Sequence, residues 1–292
     1  MIVVHGGAGA VSADRKDRVL AGVRAAAAAG YALLQRGSTA LDAVVAAVRV
    51  LEDDPEFGAG IGSSLTREGT VETCASVMDG ATRRTGAVAA VPNIAAPVIL
   101  ARAVMERGEQ VLLAGHAALE FAAEIGIRSA GPGALITPRA QAQFNEVRTH
   151  GPAAVAREGG GVGAVAWDRA GNHAAAASTG GTVFRRAGCV DDSSVPGVGT
   201  WADENVAIST SGDEAIFRVA LAHNIARRVA DGASIRAAAK DALKELRALA
   251  PKSLAGAIMV GKKAWSALQL GPMMPVAWID DFGPKEALGF EV

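Results

Sequence analysis

Val162-Gly163-Ala164-Val165-Ala166-Trp167, the turn Arg169-Ala170-Gly171-Asn172 and His173-Ala174-Ala175-Ala176-Ala177-Ser178 form the stretch on which the fold turns. Two short runs of small residues flank a Gly-Asn turn, which reads as a strand and its hairpin partner. Alanine and glycine stand where aromatic side chains could have stood. The same economy holds along the chain: 35 of 292 residues are glycine, about twelve per hundred against a usual seven or so, and only 4% are aromatic. Such glycines are no linker, because they lie beside apolar runs, where glycine marks tight turns or close approach of backbones. Closely stacked layers are expected.

On the N-terminal side of this hairpin, residues 2–5 read as a buried strand and 16–36 as an alanine-rich helix stopped by Gly37. Thr39 and Asp42 have capping-box spacing ahead of a second helix over 40–51. Strands are expected at 71–78 and 85–91 around Asp79-Gly80, then helices at 97–107 and 111–125. Residues 126–160 are rich in Gly, Pro and polar side chains and read as a connector. Beyond the hairpin, 206–211 is a strand, 214–229 and 234–249 are helices, and 255–260, 264–268 and 275–279 are strands. Both halves thus run from strand to paired helices to strands. That order predicts an α+β fold, two antiparallel sheets face to face with helices outside, in four αββα layers. The chain is expected to be one domain, 1–292, without the βαβ alternation of a doubly wound sheet.

Charge removes several functions. With 29 basic and 30 acidic side chains the net charge is −1, which gives no electrostatic case for nucleic acid or an anionic membrane. No apolar run approaches the roughly 20 residues of a membrane helix, and no leader-like segment opens the chain. Two cysteines, Cys74 and Cys189, fit neither a disulfide framework nor a thiolate zinc site, so a cytoplasmic protein is expected. His5, His116, His150, His173 and His223 are scattered, and no Cys or acidic partner has ligand spacing. The glycine clusters lack the Rossmann spacing and context, a Walker A motif is absent, and no G-x-S-x-G elbow supports a Ser-His-Asp triad.

Six segments in order point elsewhere. They are Val3-Val4-His5-Gly6-Gly7-Ala8-Gly9, Leu51-Glu52-Asp53-Asp54-Pro55-Glu56-Phe57-Gly58-Ala59-Gly60-Ile61-Gly62, Ala75-Ser76-Val77-Met78-Asp79-Gly80, Gly163-Ala164-Val165-Ala166, Ser178-Thr179-Gly180-Gly181 and Trp201-Ala202-Asp203. Together they resemble the plant-type L-asparaginase/isoaspartyl peptidase family of N-terminal-nucleophile hydrolases, related to glycosylasparaginase and taspase. The resemblance spans nearly the whole length. It implies an αββα sandwich made as one chain that cuts itself before a threonine, whose freed amine activates its own hydroxyl. It also implies hydrolysis of asparagine or β-aspartyl peptides, a small-molecule or dipeptide substrate, and a homodimer of cleaved protomers. Residues 1–160 and 161–292 would correspond to the two parts.

Carried over by position, the resemblance places the nucleophile at Gly161, which has no side chain. No Ser, Thr or Cys occurs from His150 to Ala177, so a shift of register does not rescue it. Thr179 matches a threonine that helps activate the nucleophile, and Asp192 matches the aspartate that holds the substrate's ammonium. Ser211 and Gly212 match a Thr-Gly pair facing substrate and oxyanion. An arginine that forks the α-carboxylate falls on Cys189, the glycine two residues on is Asp191, and Gly58 and Cys74 replace an asparagine and an aspartate. The carbonyls of Leu51, Glu52, Asp54, Phe57, Ala59 and Ile61 match a candidate structural sodium loop, with a plain helix end running into a glycine turn as the alternative; no other cofactor is implied. An uncleaved, inactive precursor is therefore expected. A natural pseudoenzyme that binds an amino acid or peptide, and a divergent hydrolase with another substrate, stand as alternatives.

Overall fold

The computed structural model describes residues 1–157 and 160–292. Glu158 and Gly159, at the end of the expected connector, lie outside the described residues. β1 (Ile2–His5) leads to α1 (Lys16–Gln35) and α2 (Ala40–Asp53), followed by β2 (Glu72–Asp79), β3 (Thr85–Pro92) and α3 (Pro97–Arg107). Next come β4 (Leu112–Ala114), α4 (Gly115–Glu124) and α5 (Pro138–His150). The second half holds β5 (Gly161–Trp167), β6 (His173–Thr179), β7 (Thr200–Ala202), β8 (Val206–Gly212), α6 (Leu221–Ala230) and α7 (Ile235–Leu249). It closes with β9 (Ala255–Gly261), β10 (Ala264–Leu270), β11 (Val276–Asp280) and β12 (Gly283–Ala287).

Local chemistry accounts for the boundaries. Gly37 at φ +85° ends α1, and Ser38 N–H reaches back to the Leu33 carbonyl at 3.0 Å. Thr39 and Asp42 form the expected capping box on α2. The helix expected over 111–125 is instead a short strand followed by α4, with Gly115 at φ +56° between them. The connector contains α5, capped by the Thr137 hydroxyl and begun by Pro138. The helix expected over 214–229 is a 3-10 turn, Glu214–Val219, and then α6, because Ala220 adopts the left-handed conformation at φ 45°.

The strands form an eight-stranded sheet, β12-β11-β1-β5-β6-β2-β3-β4, and a four-stranded sheet, β10-β9-β8-β7. The expectation of two antiparallel sheets holds for the smaller one, but β4 pairs parallel to β3, so the larger sheet is mixed. Side chains alternate between layers with the period of two that strands impose. Val162, Ala164 and Ala166 of β5 pack under α1 and α2, whereas Val165 joins Ile258 and Val260 in the inter-sheet core. Val206 and Ile208 of β8 pack beneath α6 and α7, and Ala207 faces inward. Among the described residues this gives four layers in αββα order, with the two sheets packed directly on each other.

Glycine sets the spacing of the sheets at one crossing. A Cβ on Gly163 would lie 2.0 Å from Ser209 Oγ and 2.5 Å from His5 Nε2. His5 itself bridges the sheets: Nε2 meets Ser209 Oγ at 3.1 Å, and Nδ1 accepts the Gly7 N–H at 3.2 Å. Burial pushes its imidazole down to about 3, so it is neutral and structural.

Candidate active site

A cavity of about 740 Å³ opens where the start of β5, the end of β6 and the end of β8 converge. Gly58, Gly160, Gly161, Thr179, Asp192 and Gly212 all line it. Residues scattered from one end of the sequence to the other are thus brought to one place by strand pairing. Gly161 and Thr179 are direct neighbours in the β5–β6 ladder, and Cys74 pairs with Thr179 from the other side.

The Thr179 hydroxyl donates to the Gly160 carbonyl at 2.9 Å and accepts the Gly181 N–H at 2.9 Å. Its rotor is therefore fixed, with its proton on the acyl oxygen of the 160–161 peptide. A Cβ on Gly161 would stand 3.2 Å from Ser193 Oγ, 3.4 Å from the Ser178 carbonyl and 3.6 Å from Thr179 Cβ. Space for a side chain is nearly present, and its neighbours would be the Ser193 hydroxyl, the Ser178 carbonyl and the Thr179 Cβ. Gly58 touches the same peptide from across the cleft: its carbonyl accepts the Gly180 N–H at 2.7 Å, and a Cβ on it would come within 2.6 Å of the Gly160 oxygen.

Ser211 is buried and its Oγ accepts the Ala8 N–H at 3.1 Å, so it ties β8 to the loop after β1, while Gly212 next to it faces the cavity. Asp192 opens the 3-10 turn Asp192–Ser194 and is buried; loss of hydration, then the neighbouring Asp191, holds its carboxyl well above the usual range. Asp191 is raised as well, first by burial, with Arg185 opposing. Burial and then Asp191 raise the Cys189 thiol, and burial pushes Cys74 up to about 11. Neither thiol is a poised nucleophile.

Arg185, which sequence reasoning does not single out, lies next to the cavity residues Gly181 and Asp191. Its guanidinium is buried against Gly181, donating to the Gly180 carbonyl at 2.6 Å and the Glu72 carbonyl at 2.8 Å, with Nε 3.7 Å from Asp191 Oδ2. Nothing distinguishes it in sequence from its neighbour Arg186.

The 51–61 loop runs from the end of α2 into the 3-10 turn Gly60–Gly62. A Cβ on Gly60 would lie 2.2 Å from the Glu52 carbonyl, and one on Gly62 would lie 1.8 Å from that of Phe57. The carbonyls of Asp54 and Ala59 accept the Phe57 and Gly62 N–H groups at 3.2 and 3.0 Å, each keeping a second lone pair. The turn at Gly60, at φ +55°, thus requires glycine and brings backbone carbonyls of this loop close to it.

Residues 1–276 match the family described as Asparaginase. The isoaspartyl peptidase/L-asparaginase of Mus musculus is 43% identical over 284 residues, covering 95% of this chain and 87% of that protein. The isoaspartyl peptidase/L-asparaginase of Homo sapiens is 41% identical over 288 residues, 96% of this chain and 93% of its own. The isoaspartyl peptidase of Salmonella typhimurium is 40% identical over 242 residues, 77% of each chain. With this cleft on an αββα sandwich and this extent of match, the chain belongs to the asparaginase family of isoaspartyl peptidases and L-asparaginases.

Proposed function

We propose that the chain is an asparaginase-type cleft kept in its single-chain, hydrolytically silent form. The observation that carries this reading is the bare α-carbon of Gly161 beside the Ser193 hydroxyl and the Thr179 side chain, whose hydroxyl is bonded to the Gly160 carbonyl. Acyl transfer needs an attacking oxygen or sulfur, and glycine supplies neither. With threonine at 161, its hydroxyl would add to the Gly160 carbonyl carbon. The 160–161 C–N bond would then break to an ester, the proton passing to the freed amine, and water would cleave the ester. Thr179 already donates to the oxygen on which negative charge would develop.

The ligand class is asparagine or a β-aspartyl dipeptide, with Asp192 facing its ammonium, Gly212 its acyl oxygen and Cys189 standing at the α-carboxylate end. The carbonyl loop of Leu51, Glu52, Asp54, Phe57, Ala59 and Ile61 would hold a sodium ion as a structural clamp. The whole chain, 1–292, acts as one unit and assembles as a homodimer. Its two free cysteines suit the reducing cytoplasm. Gly161→Thr tests the reading: the purified variant should yield two fragments on a denaturing gel where the parent gives one band. A single band from a folded variant would count against it.

A second reading, a pseudoenzyme that binds but does not hydrolyse, draws support from one further fact. The cavity measures about 740 Å³ with Gly58 and Asp191, two departures from the family pattern, in its lining. Calorimetric titration of the parent chain with asparagine and β-aspartyl dipeptides separates the two, since heat without product favours the binder. A divergent hydrolase would instead turn over other amides once Gly161→Thr is made.

A further inference from the structure

Asp191 and Glu214 line the cavity, and the Cys189 thiol lies next to both of them. The Cys189 thiol and the Asp191 and Glu214 carboxylates each place one donor atom within 4.8 Å of the other two. They arrive from separate segments, the loop before the Asp192–Ser194 turn and the turn that follows β8. Asp192 stands beside them only 9% exposed, and its Oδ2 is buried without a hydrogen-bond partner among the described residues. Among the described residues Asp191 Oδ2 has only Arg185 Nε, 3.7 Å away, and that guanidinium's Nη atoms are taken by the Gly180 and Glu72 carbonyls. Among the described residues Arg185 is the one cation ion-paired with this group of three carboxyls and a thiol, an arrangement that is costly to bury without further positive charge.

We propose that Cys189, Asp191 and Glu214 form a site for a divalent cation of borderline softness, zinc being the type, with its fourth position open to the cavity. A thiol beside two carboxylates does not suit calcium or magnesium, which take oxygen alone, whereas zinc takes both donor types. Tetrahedral zinc with bonds of about 2.0–2.3 Å needs ligand atoms roughly 3.5 Å apart. Donors spread over at most 4.8 Å reach that by side-chain rotation, and Glu214 is exposed and free to swing. A water on the open position would supply the donor that Asp192 Oδ2 lacks. The site is independent of what residue 161 does.

The test uses the full-length, metal-free protein, titrated with Zn²⁺ against a chromogenic chelator and with Co²⁺ as a spectroscopic probe. One equivalent should bind, with a thiolate-to-cobalt charge-transfer band in the near ultraviolet. Cys189→Ser should abolish that band, and both Cys189→Ser and Glu214→Gln should weaken Zn²⁺ at least tenfold, while Cys74→Ala keeps band and affinity. Glu214 is exposed, so its variant is expected to fold and keeps the test decisive. Absence of saturable binding, unchanged affinity in Cys189→Ser or Glu214→Gln, or a band that vanishes only in Cys74→Ala would each overturn the proposal.

Discussion

The Thr179 hydroxyl and the Gly160 carbonyl oxygen are hydrogen-bonded at 2.9 Å, and the same hydroxyl accepts the Gly181 N–H. One side chain thus holds both the acyl side of the 160–161 peptide and the turn after β6. Thr179→Val removes donor and acceptor together and should cost about 1–3 kcal/mol in urea unfolding. Placed on Gly161→Thr, it should slow fragment formation by roughly 10²-fold, the loss typical of one oxyanion donor. Thr179→Ser should restore most of both. Equal cleavage rates with and without the Thr179→Val change would remove Thr179 from the reaction.

Gly58 makes room for the uncut backbone. Its Cβ would meet the Gly160 oxygen at 2.6 Å, and that oxygen is already held by Thr179. Gly58→Ala should destabilise the single chain by about 1–3 kcal/mol, the range for an overpacked interior. Once Gly161→Thr has cut the chain, the 160 end can move and the penalty should shrink. Chemical denaturation of the four combinations measures that coupling, and additive penalties would contradict it.

His5 makes a pH-dependent contribution whose sign is fixed. Its folded value, about 3, lies below the ordinary 6.5, so between these the unfolded chain binds the extra proton and stability falls as pH falls. The stability advantage of the parent over His5→Gln should drop by about 2 kcal/mol between pH 7.5 and 5. Glu52 works the other way. Burial pushes it up to about 8, against the Val98 N–H that it accepts at 2.9 Å, so its contribution is lost as pH rises. Glu52→Gln should gain on the parent between pH 5 and 7.5. Urea midpoints at the two pH values decide both.

Asp168 joins the central hairpin to the helical layer. Its Oδ2 accepts the Ala40 N–H at the start of α2 at 3.0 Å, and its Oδ1 accepts the Asn172 N–H at 2.9 Å. A carboxylate there also meets the positive end of the helix dipole. Asp168→Ala should cost about 1–3 kcal/mol, and Asp168→Asn should recover part of it, as read from thermal and urea unfolding.

What is legible in the sequence is what is local. Gly37 and the Thr39–Asp42 box act within one helical turn, so the ends of α1 and α2 can be read directly. Gly161, Thr179 and Asp192, which line one cavity, can be singled out in sequence because they lie in or beside short recognisable strings. β4 reads as helix because Val111, Leu112 and Leu113 continue an apolar run, and only pairing with β3 makes them a strand. The break at Ala220 has no glycine or proline to announce it. Arg185 and the meeting of Cys189 with Glu214 depend on contacts between distant segments, which no spacing rule captures.

The crossing of β5 over β8 carries a consequence for how this sequence can drift. Ser209 and His5 fill the room that a methyl group on residue 163 would need. Substitutions on the facing strands are therefore bound to one another, and a larger residue at 163 needs a lineage that has first pared down both partners, at 209 and at 5.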